Sequence, residues 1–194
     1  MWPWGHAAFG YVLLSLGSRA AGRGPPGGLA AVVLLFATQL PDVVDKTLSW
    51  GLGLFPAGYS VAHSVFVAVP LGLLGLALAV RRGRPEAGVA LVVGWWSHLA
   101  GDVAVAMVSG YETDFERVLW PIVTLPAYAV ERGLLERASY YFAAFVRELT
   151  AGQQFTLLAV YFGPFFLAFC LWLVDGAPGV AGLWRRLRRS MRAA

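Results

Sequence analysis

The stretch AGVALVVGWWSHLAGDVAVAMVS, residues 87–109, decides the fold. It is long and apolar enough to cross a bilayer, since a spanning helix needs about 20 mostly apolar residues. Its two ionisable residues are His98 and Asp102. They lie four positions apart, so one helical turn brings their side chains onto the same face. The stretch therefore predicts a membrane helix that carries a polar pair on one side.

The composition of the whole chain agrees with this interpretation. Of the 194 residues, 58% are hydrophobic and only 13% are charged, whereas globular proteins carry about 25% charged residues. Such a chain lacks the polar groups that a surface facing water requires. The length suits one compact domain. We therefore expect residues 1–194 to form a single integral membrane domain, an all-α polytopic helix bundle.

Apolar segments along the chain predict about five transmembrane helices. The first covers residues 5–16, with an extension to Ala21, and the second covers residues 29–40 and stops at Pro41. A Gly/Pro turn at residues 22–28 joins these two as a helical hairpin. The remaining predicted spans are residues 61–80, 87–109 and 155–174.

Residues 111–152 contain a different pattern. Apolar residues recur at helical spacing, and charged residues fill much of the remaining surface. This is typical of an amphipathic helix that lies in the membrane interface. We expect an extracytoplasmic loop with one interfacial helix, serving as a lid or as a surface anchor. The apolar positions are Leu134, Leu135, Ala138, Phe142, Phe145, Val146 and Leu149, and the charged ones are Glu131, Arg132, Glu136, Arg137, Arg147 and Glu148.

The distribution of arginine predicts the orientation. With five alternating spans, ten of the 15 Lys and Arg residues fall on one side, which the positive-inside rule makes cytoplasmic. The N-terminus then lies outside and the C-terminus inside, in the cell membrane. The basic tail at residues 183–194 suits the anionic headgroups of the inner leaflet. Membrane lipids are thus the expected partners, and nucleic acid is not.

The same topology gathers the metal-ligand candidates on the outer side. His6 opens the first span, His63 opens the third and His98 lies in the second half of the fourth. The other three candidates are Asp42, Asp45 and Asp102. A carboxylate within a membrane helix costs a few kcal/mol unless it pairs, faces a cavity or binds an ion. Imidazole and carboxylate together are a normal ligand set for zinc, iron or manganese. A polar network between helices, without metal, is the alternative.

Four short motifs resemble those of a known family. They are Gly5-His6, Leu40-Pro41-Asp42, Ala62-His63-Ser64 and Ser97-His98-Leu99-Ala100-Gly101-Asp102. The family is the membrane-bound metal-dependent hydrolases of bacteria and archaea, known as LexA-binding, inner-membrane-associated hydrolases. The resemblance covers about residues 1–125 and is nearest to haloarchaeal members, through Asp45-Lys46 and the Ala-His-Ser motif.

The resemblance implies a set of metal ligands, and the order of these residues is also similar to that of zinc-dependent phospholipases C. The implied ligands are His6, Asp42, His63, His98 and Asp102, with Asp45 as a further candidate. The chain departs from the family at two points. Asp42 and Asp45 are three positions apart where the family spaces its acids two apart. The family's arginine before the Thr-His-Ser motif is also missing, since Tyr59-Ser60-Val61-Ala62 stands there.

These observations predict a metal-dependent hydrolase at the outer membrane surface. One or two divalent ions, zinc first and manganese or iron as alternatives, would activate water and polarise a phosphoryl or acyl oxygen. Asp45 or Asp102 would act as the general base. The expected substrate is an ester or phosphoester of a lipid or a lipid-linked molecule. Two other classes stay open: a transport protein and a non-catalytic scaffold in which metal ties helices together.

Overall fold

The computed structural model describes residues 1–109, 115–150 and 154–182, together with Trp184 and Met191. These residues form seven α-helices and contain no strand, which confirms the all-α prediction. The helices are α1 Pro3–Ala20, α2 Gly28–Ala37, α3 Leu40–Lys46, α4 Val65–Arg81, α5 Pro85–Ser109, α6 Leu134–Thr150 and α7 Gln154–Val174. A π-helical turn, Thr47–Gly51, continues α3, and a 3₁₀ turn, Phe115–Val118, lies between α5 and α6.

Two helical segments among the described residues are long and apolar enough to cross a membrane. They are Gly28–Gly51, which joins α2, α3 and the π-helical turn, and Pro85–Val108, which is nearly all of α5. Two shorter apolar stretches, Val65–Arg81 and Phe162–Val174, coincide with the predicted spans 61–80 and 155–174. The second is part of α7, which as a whole has the predicted length. The prediction of about five spanning helices is therefore not confirmed, and its coarser content, an apolar helix bundle, holds.

The role of Pro41 differs from the prediction. The second helix ends at Ala37, and Pro41 lies in the first turn of the next helix instead of ending the span. Proline is tolerated there because the first N–H groups of a helix have no partner within the helix. As a result Asp42 lies in the first turn of α3, and Asp45 follows about one turn later.

The third predicted span also begins later than expected. Helix α4 begins at Val65, and Ser64 caps it by accepting a hydrogen bond from the backbone N–H of Phe66 at 3.2 Å. His63 therefore lies in the turn before the helix. A turn residue can approach a site at an angle that a residue inside the helix could not reach.

Helix α5 is the central element of the bundle, in contact with α1, α2, α3 and α4. Its close approach to α2 depends on Gly94. A Cβ atom at this position would lie 2.7 Å from Cβ of Ala37 and 3.0 Å from the carbonyl oxygen of Leu34. Small residues let membrane helices pack backbone to backbone. This contact brings the end of α2 against the part of α5 that carries His98.

Helix α6 covers the end of the bundle where α1 begins. Its Phe145 packs against the rings of Trp2, Trp4 and Phe162, with centroids 4.6–6.2 Å apart. The helix also contacts the π-helical turn and α7. The structure thus confirms an amphipathic helix in the predicted place. Its location in a membrane interface stays a prediction, and residues 110–114 and 151–153 of the predicted loop lie outside the described residues, as does most of the basic tail.

A second polar cluster joins α1 to the end of α7, at the opposite end of the bundle. Asp175 accepts hydrogen bonds from the hydroxyl of Tyr11 at 2.7 Å, from Oγ of Ser15 at 2.6 Å and from the guanidinium of Arg19. Burial raises the pKa of the Asp175 carboxyl, but these three donors outweigh it and hold that pKa below its ordinary value. Asp175 is therefore a charged staple between two helices.

Candidate metal centre

Four side chains that can bind metal converge inside the bundle. Asp42, His63, His98 and Asp102 each offer one ligand atom, and these atoms all lie within 4.8 Å of one another. His63 and His98 are fully buried, Asp102 is 4% exposed, and the side chain of Asp42 is 12% exposed. The ligands come from α3, the turn before α4, and α5. The structure therefore brings together four of the six predicted ligand candidates.

The donor distances fit a single small cation. Nε2 of His63 and Nε2 of His98 lie 3.2 Å apart. Each lies 3.6–3.7 Å from Oδ1 of Asp42 and 3.6 Å from Oδ2 of Asp102. A tetrahedral zinc site with bonds of about 2.0–2.2 Å places its ligand atoms about 3.3–3.6 Å apart. The five distances, 3.2–3.7 Å, lie within about 0.1 Å of this range, and the ligand set also suits iron or manganese.

A backbone carbonyl at the end of α2 fixes Nδ1 of His98, the ring nitrogen that faces away from the centre. Nδ1 of His98 lies 2.6 Å from the carbonyl oxygen of Thr38, which can only accept a hydrogen bond. Nδ1 therefore carries the hydrogen, and neutral His98 presents the lone pair of Nε2 to the centre. A carbonyl behind a ligating histidine is the usual way to set its tautomer and the orientation of its ring.

Asp45 fixes the orientation of the His63 ring in a similar way. Its Oδ2 lies 2.8 Å from Nδ1 of His63 and accepts the backbone N–H groups of Ser60 and His63, while Oδ1 accepts that of Ala62. Both oxygens are thus occupied by the turn that leads into α4. The structure places Asp45 behind His63 and outside the four-residue group, so its geometry is that of a residue that positions a ligand. Because both oxygens already accept hydrogen bonds, neither is free for the predicted roles of Asp45 as a metal ligand and as a general base.

Asp42 divides its two oxygens between the centre and a lysine. Oδ1 faces the two histidines, and Oδ2 lies 2.5 Å from Nζ of Lys46, one helical turn further along α3. The lysine neutralises part of the local negative charge. It also fixes the rotation of the carboxylate, so that a single oxygen of Asp42 points at the histidines.

His6 lies beside the group rather than in it. Its ring stacks on that of His98, with centroids 3.6 Å apart and planes 10° apart. Nε2 of His6 is 3.3 Å from Oδ1 of Asp102, yet both ring nitrogens of His6 are buried without a hydrogen bond. The amino group of Met1 also lies 2.5 Å from that oxygen. Buried polar atoms without partners are costly, so a metal ion that replaced the amino group of Met1 would satisfy His6 as well as Asp102.

Tyr59 and Arg117 form the wall next to His63. The Tyr59 ring meets the His63 ring edge-on at 4.8 Å, and the guanidinium of Arg117 lies 4.8 Å over the Tyr59 ring. Burial, together with the charge of Asp102, raises the pKa of the Tyr59 phenol above its ordinary value, so the phenol stays neutral. The 3₁₀ turn after α5 thereby contributes to closing the site.

Arg137 was assigned from sequence to the charged surface of α6, and that assignment is wrong. Its side chain is 5% exposed, and its guanidinium lies 3.8 Å over the ring of Tyr128 and 5.8 Å from that of Trp50. The available signal was the helical spacing, because position 137 shares a face with Leu134 and Tyr141. A hydropathy scale does not reveal the burial of Arg137, because it assigns every arginine to the polar side of a helix.

Neighbouring serines and tryptophans serve mainly to hold the site. Ser64 caps α4 and donates to the carbonyl of Trp120, and Ser97 donates to the carbonyl of Gly94 at 3.1 Å. The indole N–H of Trp95 donates to the carbonyl of Ala62, next to His63, at 2.8 Å. Trp95 therefore supports the turn that carries a metal-ligand candidate.

Comparison with known proteins gives one significant match, to the model of a protein family. No curated protein and no solved structure matches the chain significantly. The model of one family, the YdjM inner membrane proteins, matches residues 1–179. That range includes every helix described above and all six candidate ligands. The chain therefore belongs to the YdjM inner membrane protein family.

Proposed function

We propose that this protein is a metal-dependent hydrolase of the cell membrane. The observation that carries the proposal is the approach of the two histidines. Their Nε2 atoms lie 3.2 Å apart, and each ring has its other nitrogen held by a fixed acceptor. Two imidazole lone pairs at this distance repel each other unless a cation or a proton lies between them. Two carboxylate oxygens at 3.6–3.7 Å complete a ligand set for the cation.

Each residue has a defined task in this proposal. Asp42, His63, His98 and Asp102 hold the metal, zinc in the first place and manganese or iron as alternatives, and Asp45 orients His63. A divalent ion bound there would lower the pKa of water toward neutrality and polarise a phosphoryl or acyl oxygen. We favour Asp102 over Asp45 as the proton acceptor, because Oδ2 of Asp102 faces both ligand histidines at 3.6 Å, whereas the oxygens of Asp45 are taken up by His63 and by the turn before α4. Oδ1 of Asp102 would accept the proton once the amino group of Met1, 2.5 Å away, had moved off. His6 stands 3.3 Å from that oxygen and can pass the proton on or help to hold a second ion.

The surroundings favour a substrate that is itself in the membrane. Apolar side chains on the loops and helices near this end of the bundle are exposed: Leu52 at 62%, Leu54 at 63%, Phe115 at 58% and Ile122 at 74%. Such residues suit contact with lipid rather than water. We therefore propose an ester or phosphoester of a lipid, or of a lipid-linked molecule, as the substrate. In this arrangement five helices span the membrane, with the N-terminus outside and the C-terminus in the cytoplasm.

The test is hydrolysis by the purified protein. The protein in detergent, supplied with zinc or manganese, is given chromogenic phosphodiesters, phosphomonoesters and carboxylic esters. We expect turnover of one class in the parent and a loss of at least a hundredfold in His98→Ala. Asp175→Asn, far from the site, serves as the matched control and should keep full turnover. Bound metal without turnover of any class would instead favour the non-catalytic scaffold, and chelation would then lower the melting temperature.

A further inference from the structure

A buried cation without a counter-charge lies on α6, the helix that covers the end of the bundle where α1 begins. The side chain of Arg137 is 5% exposed. Its Nη2 donates to the carbonyl oxygen of Val130 at 2.8 Å, while its Nε has no hydrogen-bond partner. Within the described part of the chain, no carboxylate forms an ion pair with it. Removing a guanidinium from water costs several kcal/mol unless its donors and its charge are satisfied.

The groups around Arg137 connect it to the centre. Its guanidinium lies 5.8 Å from the ring of Trp50, and Nζ of Lys46 lies 5.4 Å from the same ring. Lys46 in turn bonds the metal-ligand candidate Asp42 at 2.5 Å. Both cations therefore lie within 6 Å of the centre of one indole ring, and one of them already contacts a carboxylate of the site. The side chain of Lys46 is 28% exposed, which leaves it open to a ligand.

The aromatic rings stabilise Arg137 only in part. Tyr128, at 3.8 Å, offers its face to the guanidinium, and its hydroxyl accepts hydrogen bonds from the indole of Trp50 at 3.2 Å and from the backbone of Gly58 at 3.1 Å. A cation–π contact satisfies charge above the plane of the guanidinium. The N–H donors point in that plane, and the forked edge of a guanidinium matches the oxygens of a phosphate.

We propose that Arg137 and Lys46 form an anion subsite that binds the phosphate group of the substrate. The proposal rests on the hydrolase function given above and makes it more specific: the substrate is a phosphoester and not a neutral carboxylic ester. The phosphate can belong to a phospholipid headgroup or to a soluble phosphoester. Helix α6, which carries Arg137, is then part of the substrate site as well as a cover over the bundle.

The test is binding of inorganic phosphate to the metal-loaded protein in detergent, measured by calorimetry. A charge-assisted contact of this kind predicts that Arg137→Gln weakens phosphate binding about 10- to 100-fold. Arg137→Lys keeps the charge and should retain an intermediate affinity. Arg132→Gln is the matched control, because Arg132 also lies over a tyrosine ring, Tyr140 at 4.3 Å, but has a carboxylate partner, Glu136 at 3.4 Å. It should leave phosphate affinity unchanged.

Two further arms separate the explanations. If a short-chain phosphatidylglycerol competes with phosphate in the parent but not in Arg137→Gln, the phosphate bound in the natural substrate belongs to a lipid headgroup. If only a soluble phosphoester competes, the natural substrate is a soluble phosphoester. Phosphate binding that depends on Arg137 in a protein without hydrolytic activity would keep the subsite and overturn the hydrolase. The subsite would be overturned if the parent, Arg137→Gln and Arg137→Lys bound phosphate with equal affinity. A lower melting temperature in the two variants would then show that Arg137 only stabilises the fold.

Discussion

Oδ2 of Asp45 lies 2.8 Å from Nδ1 of His63, and the same oxygen accepts two backbone N–H groups of the turn that carries this histidine. The carboxylate therefore holds both the ring and the backbone of one metal-ligand candidate. Residues of this kind, one bond removed from a metal, are needed to keep the ligand in its binding orientation. The local fold of residues 60–63 is thus part of the site.

The first prediction concerns this carboxylate. Asp45→Asn replaces one of two acceptor oxygens by an NH2 donor, so the side chain can no longer accept both from Ala62 on one side and from Ser60 and His63 on the other. The hydrogen bonds that hold the ring and the turn of His63 are thereby weakened. We expect zinc affinity, measured by competition with a chelating dye, to fall about 10- to 100-fold. Asp175→Asn is the matched control, since it changes a buried carboxylate with three side-chain donors at the other end of the bundle. Unchanged affinity in Asp45→Asn would show that His63 needs no orientation by Asp45.

The second prediction concerns pH and the Asp175 staple. Because the folded protein holds the pKa of Asp175 below its ordinary value, this carboxylate stabilises the fold above the unfolded pKa of about 3.9. That contribution is lost as pH falls through the folded pKa. We therefore expect the difference in melting temperature between parent and Asp175→Asn to be full at pH 7 and to shrink below about pH 4. A difference that stays constant across this range would contradict the account.

The third prediction concerns the contact of α5 with α2. Gly94→Ala places a methyl group 2.7 Å from Ala37 and 3.0 Å from a backbone oxygen of Leu34, which cannot rotate away. The helices must separate, at a cost of about 1–3 kcal/mol. His98 should then lose part of its contact with Thr38, which lowers metal affinity as well as thermal stability. Gly17→Ala, where a methyl group meets nothing within 4 Å, should be neutral or slightly stabilising.

The fourth prediction concerns orientation. In a background with Cys170→Ala, a single cysteine is placed at Arg82, between α4 and α5, or at Arg132, before α6. A maleimide that cannot cross the membrane should label the Arg132 variant in intact cells and the Arg82 variant only after the membrane is opened. Labelling of both variants in intact cells would place the two loops on one side and refute the alternating topology.

The sequence was sufficient to predict that Asp42, His63, His98 and Asp102 meet, because ionisable side chains inside an apolar helix bundle need polar partners. His98 and Asp102 could be placed on one face from their spacing alone. His63 and Asp42 were expected near this pair, and the structure brings them there, although both lie in or next to turns that hydropathy does not resolve. Pro41 was misjudged, since the same residue ends one helix or starts the next depending on backbone hydrogen bonds that no pattern reveals.

The groups that surround and orient the metal-ligand candidates were harder to predict. The carbonyl of Thr38, which fixes His98, is a backbone group and leaves no residue signal. Arg137 is buried by rings that lie 87 and 9 positions away in the chain, at Trp50 and Tyr128, so its surroundings depend on how α6 packs. Hydropathy classifies residues one at a time, and it therefore assigned this buried cation to the surface.

The central claim is that Asp42, His63, His98 and Asp102 bind a metal. The most direct measurement is the metal content of the detergent-purified protein, by mass spectrometry, beside the double variant His98→Ala, Asp102→Ala. We predict one or two equivalents of zinc, manganese or iron in the parent and none in a variant that keeps its helical circular dichroism. A parent without metal, which also takes up none on titration, would contradict the claim and leave these residues as a polar network between helices.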